Sequence, residues 1–331
     1  KLDDPKVLER IAREMRVLSP TRLEVFATCP FKFFAAHILK LRDEREGIDV
    51  RDEGDILHET LERFFKETVR PDKADWILVK DKAKAKTLVL EKLDQVLRGH
   101  PFPGVKKFRK DLERRRLREI LSDFIEKESE EESRRKTVPR YFEQAFGCGE
   151  GEPGSLEALR FRGEDGEEVL IRGIIDRIDC DPETGAAVVI DYKRGPHKAD
   201  KLLDHLEKGT ELQIPIYLLA VEELVGRAAA AGELYPVVLP QRRRGIYNGP
   251  AVQNLFAKSP AKTGVFSAEE FRSLLDTMRA LVPLYASRAR RGDIRVKSKG
   301  CENCDYNHVC RFEKWRLIYS EPEKVWERRK A

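Results

Sequence analysis

Apolar residues recur at three- and four-residue intervals through most of the first 136 positions, and this periodicity predicts helices. Residues 1–16 read as a charged helix. Ser19-Pro20 sets an N-cap residue before a proline at the first helical position, and Thr28-Cys29-Pro30 repeats that signal ahead of an apolar-aromatic stretch containing Phe31, Phe33, Phe34, Ile38 and Leu39. A helix from about Glu53 to Lys66 gathers Leu57, Leu61, Phe64 and Phe65 on one face. Residues 74–98 and 106–136 read as two more helices, the second ending in the charge run Glu126 to Lys136.

After Pro139 the pattern changes. Tyr141 to Phe146 predicts a strand and 147–154 a loop. Val169 to Cys180 and Ala186 to Lys193 are β-rich and are separated by the turn Asp181-Pro182-Glu183-Thr184-Gly185. Helical pattern returns over 200–225, a strand is expected at Glu233 to Leu239, and a last helix at 268–290 precedes a cysteine-bearing tail. Helices first, then strands, then a mixture predict an α/β core with a large helical insertion. Without repeats or low-complexity linkers, 1–331 is expected to be a single unit: an N-terminal helical segment (1–52), a helical region (53–138), the core (139–292) and the tail (293–331).

Composition narrows the function classes. Lys and Arg (64) exceed Asp and Glu (59) by only five in 331 residues, so net charge is weak evidence for a polyanion partner. The basic clusters Arg114-Arg115-Arg116, Arg242-Arg243-Arg244 and Arg288 to Arg291 read as solvated faces. No apolar run is long enough to span a membrane and no signal peptide opens the chain, which argues against a membrane protein. Because the chain begins at Lys1, it is expected to be a piece of a longer polypeptide. Six cysteines are too few for a disulfide scaffold, and three of them cluster near the C-terminus, as in a metal site in a reducing, cytoplasmic compartment.

The chemistry concentrates in the hairpin. In Val189-Ile190-Asp191-Tyr192-Lys193, alternation puts Asp191 and Lys193 on one face. A turn centred between Glu183 and Thr184 sets Asp176 opposite Asp191. Two carboxylates in an otherwise apolar hairpin repel one another unless a cation lies between them, and Mg²⁺ suits such hard oxygen ligands. A lysine on the same face can orient a water or neutralise charge on a phosphate. Downstream, Gln213 and Tyr217 are four residues apart on a helix that tolerates Pro215 in its first turn, and His58 lies off the apolar stripe of its own helix.

Taken in order, His58, Asp176, Asp191-Tyr192-Lys193 and Gln213-x-x-x-Tyr217 resemble the RecB-type nuclease branch of the PD-(D/E)XK superfamily. The resemblance implies a restriction-endonuclease-like core, a mixed central sheet flanked by helices. It implies that His58, Asp176 and Asp191, with the backbone carbonyl of Tyr192, ligate Mg²⁺ or Mn²⁺. Lys193 becomes the catalytic lysine, with Gln213 and Tyr217 supporting the site and DNA. Glu143 falls where relatives often carry a strand glutamate.

Cys301, Cys304 and Cys310 offer three thiolates, one short of a closed set, and Cys29 is the natural fourth. Cys148 and Cys180 read as ordinary thiols. His308 could substitute as a ligand to zinc, so residue chemistry alone leaves zinc and a 4Fe–4S cluster both open. One early cysteine followed by Cys-x₂-Cys-x₅-Cys is similar to AddB-type subunits of bacterial helicase–nucleases and to certain CRISPR-associated nucleases, which implies a 4Fe–4S cluster joining the two ends of the chain. No P-loop is present, so ATP-driven unwinding is expected from sequence outside this chain or from an AddA-like helicase partner. The implied activity is hydrolysis of single-stranded DNA from its ends in recombinational double-strand break repair. The alternatives are a CRISPR-associated nuclease for spacer acquisition and a non-catalytic DNA-binding scaffold.

Overall fold

The computed structural model describes residues 2–41, 50–70, 75–76, 81–100, 105–132, 134–149, 154–163, 166–196, 200–242, 244–253, 255–256, 264–297, 301, 304–311 and 325–326. Helices α2 (Pro20–Thr28) and α3 (Pro30–Phe33) begin at the two predicted signals, although Cys29 makes no side-chain cap, and α1 (Pro5–Glu14) begins after Asp4, which the sequence reading had not singled out. Asp4 accepts from the amides of Lys6 and Val7, and Ser19 accepts from that of Arg22, each just before a proline that has no amide to satisfy. Strand β1 (Val17–Leu18) lies between the first two helices.

The long helices α4 (Val50–Thr68), α5 (Lys82–Gly99) and α6 (Lys107–Glu132) follow, with a short ribbon of β2 (Val69–Arg70) and β3 (Asp75–Trp76) after α4. The helix expected from 74 therefore starts later, at Lys82, where Asp81 caps the amide of Lys84. The remaining elements are β4 (Val138–Phe146), β5 (Leu159–Arg162), β6 (Glu168–Ile171), β7 (Gly173–Cys180), β8 (Ala187–Lys193), α7 (Leu202–Glu207), α8 (Gln213–Ala220), β9 (Ala229–Pro236), β10 (Gly245–Asn248), α9 (Gly249–Val252), β11 (Val265–Phe266), α10 (Ala268–Arg290) and α11 (Asn307–Cys310). Among the described residues no helix is long and apolar enough to cross a membrane.

The central sheet runs β11-β10-β9-β8-β7-β4, with β8–β9 and β10–β11 parallel and the other pairs antiparallel; β1, β6 and β5 form a smaller sheet. Three further secondary-structure expectations need correction. The β-rich run over Val169–Cys180 divides at Arg172, sending β6 to the small sheet and β7 to the large one. Gly173 permits the crossing, because a Cβ there would lie 2.8 Å from the Phe146 ring. The helical pattern over 200–225 breaks between α7 and α8, where the amides of Thr210 and Glu211 both return to the carbonyl of His205. The strand expected at Glu233–Leu239 is instead Ala229–Pro236. Its alanines have weak strand propensity, but the position is central and covered by α8, which approaches so closely that a Cβ on Gly232 would meet Ile214 at 2.5 Å.

The large sheet separates two apolar cores. Ala187 and Val189 of β8 join Leu23 and Phe26 of α2, Ile214 and Ile216 of α8, and Leu274 and Met278 of α10. Val188, Ile190 and Tyr192 face the other way, onto Leu57, Leu61 and Phe65 of α4, Val89 and Leu93 of α5, and Leu121 and Phe124 of α6. Helices thus cover both faces of a mixed sheet, which is the α/β architecture expected.

The second core also holds charge, which overturns the reading of Arg242 as part of a solvated face. Glu128, Arg177 and Asp179 are fully buried and Arg242 is 7% exposed. Arg177 grips both oxygens of Asp179 and donates to Glu128 at 2.7 Å; Arg135 reaches Glu128 at 2.8 Å and Asp179 at 3.1 Å; Arg242 donates to Glu233 at 2.7 Å. Residues from the end of α6, from β7, from β9 and from the loop before β10 thereby become one ion-paired network beneath the sheet.

Candidate metal and catalytic site

The site is built on the β7–β8 hairpin and its neighbours. Asp181 ties the turn by accepting from the amides of Glu183 and Thr184 and from the Thr184 hydroxyl. The ladder then pairs Cys180 with Ala187 and continues to Arg177 with Ile190, which is the register the sequence implied. One step further out stand Asp176 and Asp191. On the other side of β7, Phe142 pairs with Arg177 and Gln144 with Ile175, leaving Glu143 across from Asp176.

Glu143 has φ +46°, in the left-handed region that non-glycine residues avoid inside strands. Alternation reverses there: Phe142 packs on the second core, whereas Phe146, an even number of residues later, belongs to the first. This local reversal sends the Glu143 side chain to the same place as His58 of α4 and Asp176 of β7. Ligand atoms of the three all lie within 4.8 Å of one another, the group with metal-holding geometry among the described residues.

Electrostatics agree with a cation site. His58 Nδ1 is 3.5 Å from Asp176 Oδ2. Burial disfavours the charged ring, but the charge and hydrogen bond of Asp176, and the charge of Asp191, outweigh it and raise His58 to about 9. Glu143 is pushed up to about 8, first by burial and then by the negative charges of Asp176 and Glu62. Both aspartates act on His58, and both act on Tyr217, so they share one locality. Two carboxylates and an imidazole within 4.8 Å, with the Asp191 charge acting on the same ring, fit a divalent ion, which would displace the protons that His58 and Glu143 otherwise hold.

The remaining predicted residues stand around this group. The Asp191 carboxylate is ion-paired with the Lys193 ammonium, and Lys193 Nζ donates to Gln213 Oε1 at 3.0 Å. Gln213 Nε2 donates to the Tyr217 hydroxyl at 3.1 Å. The Tyr192 ring packs in the second core and its hydroxyl accepts from Arg177 at 3.3 Å, while its backbone amide donates to Asp176 Oδ2 at 2.6 Å. The parallel β8–α7–α8–β9 crossover delivers Asp191, Lys193, Gln213 and Tyr217 together, because α8 packs directly on β9.

Sequence reasoning did not single out Glu24 or Glu53. Glu24 Oε1 accepts from the amides of Leu212 and Gln213, at 3.0 and 2.9 Å, across 188 positions of chain. Glu53, 4% exposed, accepts from Arg194 at 2.7 Å and pairs with Arg116 at 3.0 Å. Neither residue breaks its helical pattern, so the sequence carried no signal for either.

The cysteine segments come alongside each other. The Lys297 amide donates to Cys29 Sγ at 3.5 Å, and the Tyr306 hydroxyl donates to the carbonyl of Leu41. Cys301 and Cys304 precede α11 and Cys310 is its last residue, and all four thiols are partly buried and outside any disulfide. Among the described residues no three of their sulfurs lie within the 4.8 Å span that marks the His58 group. Cys148 and Cys180 lie outside any disulfide, with Cys180 buried.

The chain is 25% identical over 371 residues to AddB, an ATP-dependent helicase/deoxyribonuclease subunit, of Clostridium acetobutylicum, an alignment covering 94% of this chain and 32% of that protein. It is 32% identical over 228 residues to the protein of the same name from Moorella thermoacetica, covering 66% of this chain and 19% of the relative. The equivalent from Symbiobacterium thermophilum is 28% identical over 372 residues, covering 94% of this chain and 31% of the relative. The chain thus spans about a third of the length of the curated relatives it matches over most of its own length. The model of the PD-(D/E)XK nuclease superfamily matches residues 17–311, which take in both cysteine segments and every residue of the constellation just described. With that match over nearly the whole length, the chain belongs to the PD-(D/E)XK nuclease superfamily.

Proposed function

We propose that this chain is the metal-dependent deoxyribonuclease part of a helicase–nuclease subunit, hydrolysing phosphodiester bonds at single-stranded DNA ends during recombinational double-strand break repair, alongside a helicase partner. The observation that carries the reading is the meeting of His58, Glu143 and Asp176 beside the Asp191–Lys193–Gln213–Tyr217 chain. The names of the relatives support the helicase–deoxyribonuclease setting.

Mg²⁺ or Mn²⁺ would be held by His58, Asp176 and Glu143, with the Asp191 carboxylate and the Tyr192 carbonyl beside them. When bound, the cation supplies Lewis-acid polarisation of the phosphate and of the attacking water. The protein's own part is to fix charge. The Tyr192 amide locks Asp176, and the Asp191 carboxylate and Gln213 amide oxygen hold the Lys193 ammonium where negative charge grows on the phosphate. Basic residues would hold the strand through its phosphates.

A labelled single-stranded oligonucleotide with Mg²⁺ or Mn²⁺ tests the reading. Asp191→Ala is expected to fall to background, and Lys193→Ala to lose about 100- to 1,000-fold, as when one preorganised donor to a developing oxyanion is removed. Equal rates for wild type and Asp191→Ala would sink the assignment.

Cys29, Cys301, Cys304 and Cys310 fit a thiolate-held cofactor: two distant segments are already joined by an N–H···S contact to Cys29. A 4Fe–4S cluster there would act as a cross-link, its binding energy serving as folding energy. Anaerobically purified protein is expected to absorb broadly in the blue. Cys304→Ser should bleach it and lower the melting temperature, whereas a colourless, zinc-loaded wild type would overturn the iron–sulfur choice.

A further inference from the structure

We propose that Glu24 is a positioning residue for the hydrolysis, holding the first turn of α8 so that Gln213 keeps the Lys193 ammonium in place. The inference rests on the nuclease reading and adds a residue to it.

The first amides of a helix have no partner within it, and a buried helix start must find acceptors elsewhere. At α8 they can be followed one by one. Leu212 and Gln213 donate to Glu24 Oε1, and Ile214 donates to Glu211 Oε1 at 3.3 Å. Pro215 has no amide, and Ile216 begins the regular ladder by donating to the Leu212 carbonyl at 3.0 Å. Glu24, on α2, therefore serves as the cap that Leu212, the residue at the N-cap position, has no side-chain oxygen to provide.

The residue so fixed is the one that touches Lys193. Gln213 is the first residue of α8, the position most prone to fray, and its side-chain amide is committed at both ends, to Lys193 and to Tyr217. Freeing its backbone loosens the oxygen that orients the ammonium. The rest of α8 has independent anchors: Ile214, Ile216, Leu218 and Leu219 are fully buried, and the helix sits tightly on Gly232. Loss of Glu24 therefore disturbs the first turn and leaves the fold standing.

Both amides use the same oxygen of Glu24, so glutamine at this position can offer an equivalent acceptor without the charge. Glu24→Ala is expected to lower kcat by about 10- to 100-fold with KM little changed, the scale of a small misplacement of a catalytic group. Glu24→Gln should retain most of the rate. In a Lys193→Ala background, Glu24→Ala should cause no further loss, because the two residues act through one contact. Hydrogen exchange adds a readout independent of turnover: the Leu212 and Gln213 amides should exchange faster in Glu24→Ala, with core amides of β8 unchanged. Wild-type turnover in Glu24→Ala, multiplicative losses in the double variant, or unchanged exchange at those two amides would each overturn the proposal. An inactive wild type would instead count against the nuclease reading, and the exchange measurement would still decide the role of Glu24.

Discussion

Arg177→Met is expected to destabilise the fold by about 3–5 kcal/mol, the range for removing one partner from a buried ion pair. Against a typical total of about 5–15 kcal/mol, that approaches unfolding. Arg177 is fully buried, bidentate on Asp179, bonded to Glu128, and stacked with its guanidinium carbon 4.9 Å from the centre of the Phe65 ring. Methionine keeps much of the volume but leaves two desolvated carboxylates dependent on Arg135 and Arg242. Burial works to raise the Glu128 pKa, yet the charges of Arg177, Arg135 and Arg242 prevail and hold it well below its ordinary 4.5. A depressed carboxylate stabilises the fold fully above its unfolded value and loses that contribution as pH falls through the folded one. Urea unfolding should therefore show wild type weakening below about pH 4.5, and Arg177→Met weak at every pH. A loss under about 1 kcal/mol, the scale of an exposed pair, would mean the network is solvated.

Manganese affinity is expected to rise by two orders of magnitude or more between about pH 7 and pH 9, because metal ligands must first lose their protons. Without metal, His58 titrates near 9 and Glu143 near 8, so both are largely protonated at neutral pH. Each proton displaced weakens binding below the group's pKa, and the gain levels off once pH passes about 9. Calorimetry at neutral pH in two buffers of different ionisation enthalpy should detect the release of protons. The metal-free fold has its own pH dependence. The raised His58 pKa lends stability that is complete below 6.5 and disappears as pH climbs through about 9. The raised Glu143 pKa adds a cost that grows from 4.5 to about 8. Metal-free protein should thus lose melting temperature toward pH 9, with Mn²⁺ restoring it. An affinity constant across this range would remove His58 and Glu143 from the ligand set.

Legibility followed the range of the physics. The β7–β8 register could be read from the chain because a turn chemistry and a two-residue alternation are both local; Asp181 and the pairing of Arg177 with Ile190 fulfil them. Gln213 and Tyr217 were likewise readable as helical neighbours four apart, and they meet. Strand β9 was misplaced because its alanines have weak strand propensity, although the position is central in the sheet and Gly232 lies tight against α8. Arg242 looked like surface because charge in a sequence does not announce its partner: Glu233 lies nine positions back and Glu128 on a distant helix.

By itself the sequence determined most of the long helices, the cap at Ser19 and the β7–β8 hairpin, all of which depend on residues within a turn or two of each other. Only the tertiary structure decided that Glu143 turns into the site, since its positive φ reverses an alternation the sequence implies. It alone decided that Glu24 caps a helix 188 positions away and that the charges on β7 are neutralised beneath the sheet. Those outcomes depend on which surfaces are buried against each other. A buried carboxylate or amide takes whatever partner packing brings within hydrogen-bond reach, and no local pattern encodes that choice.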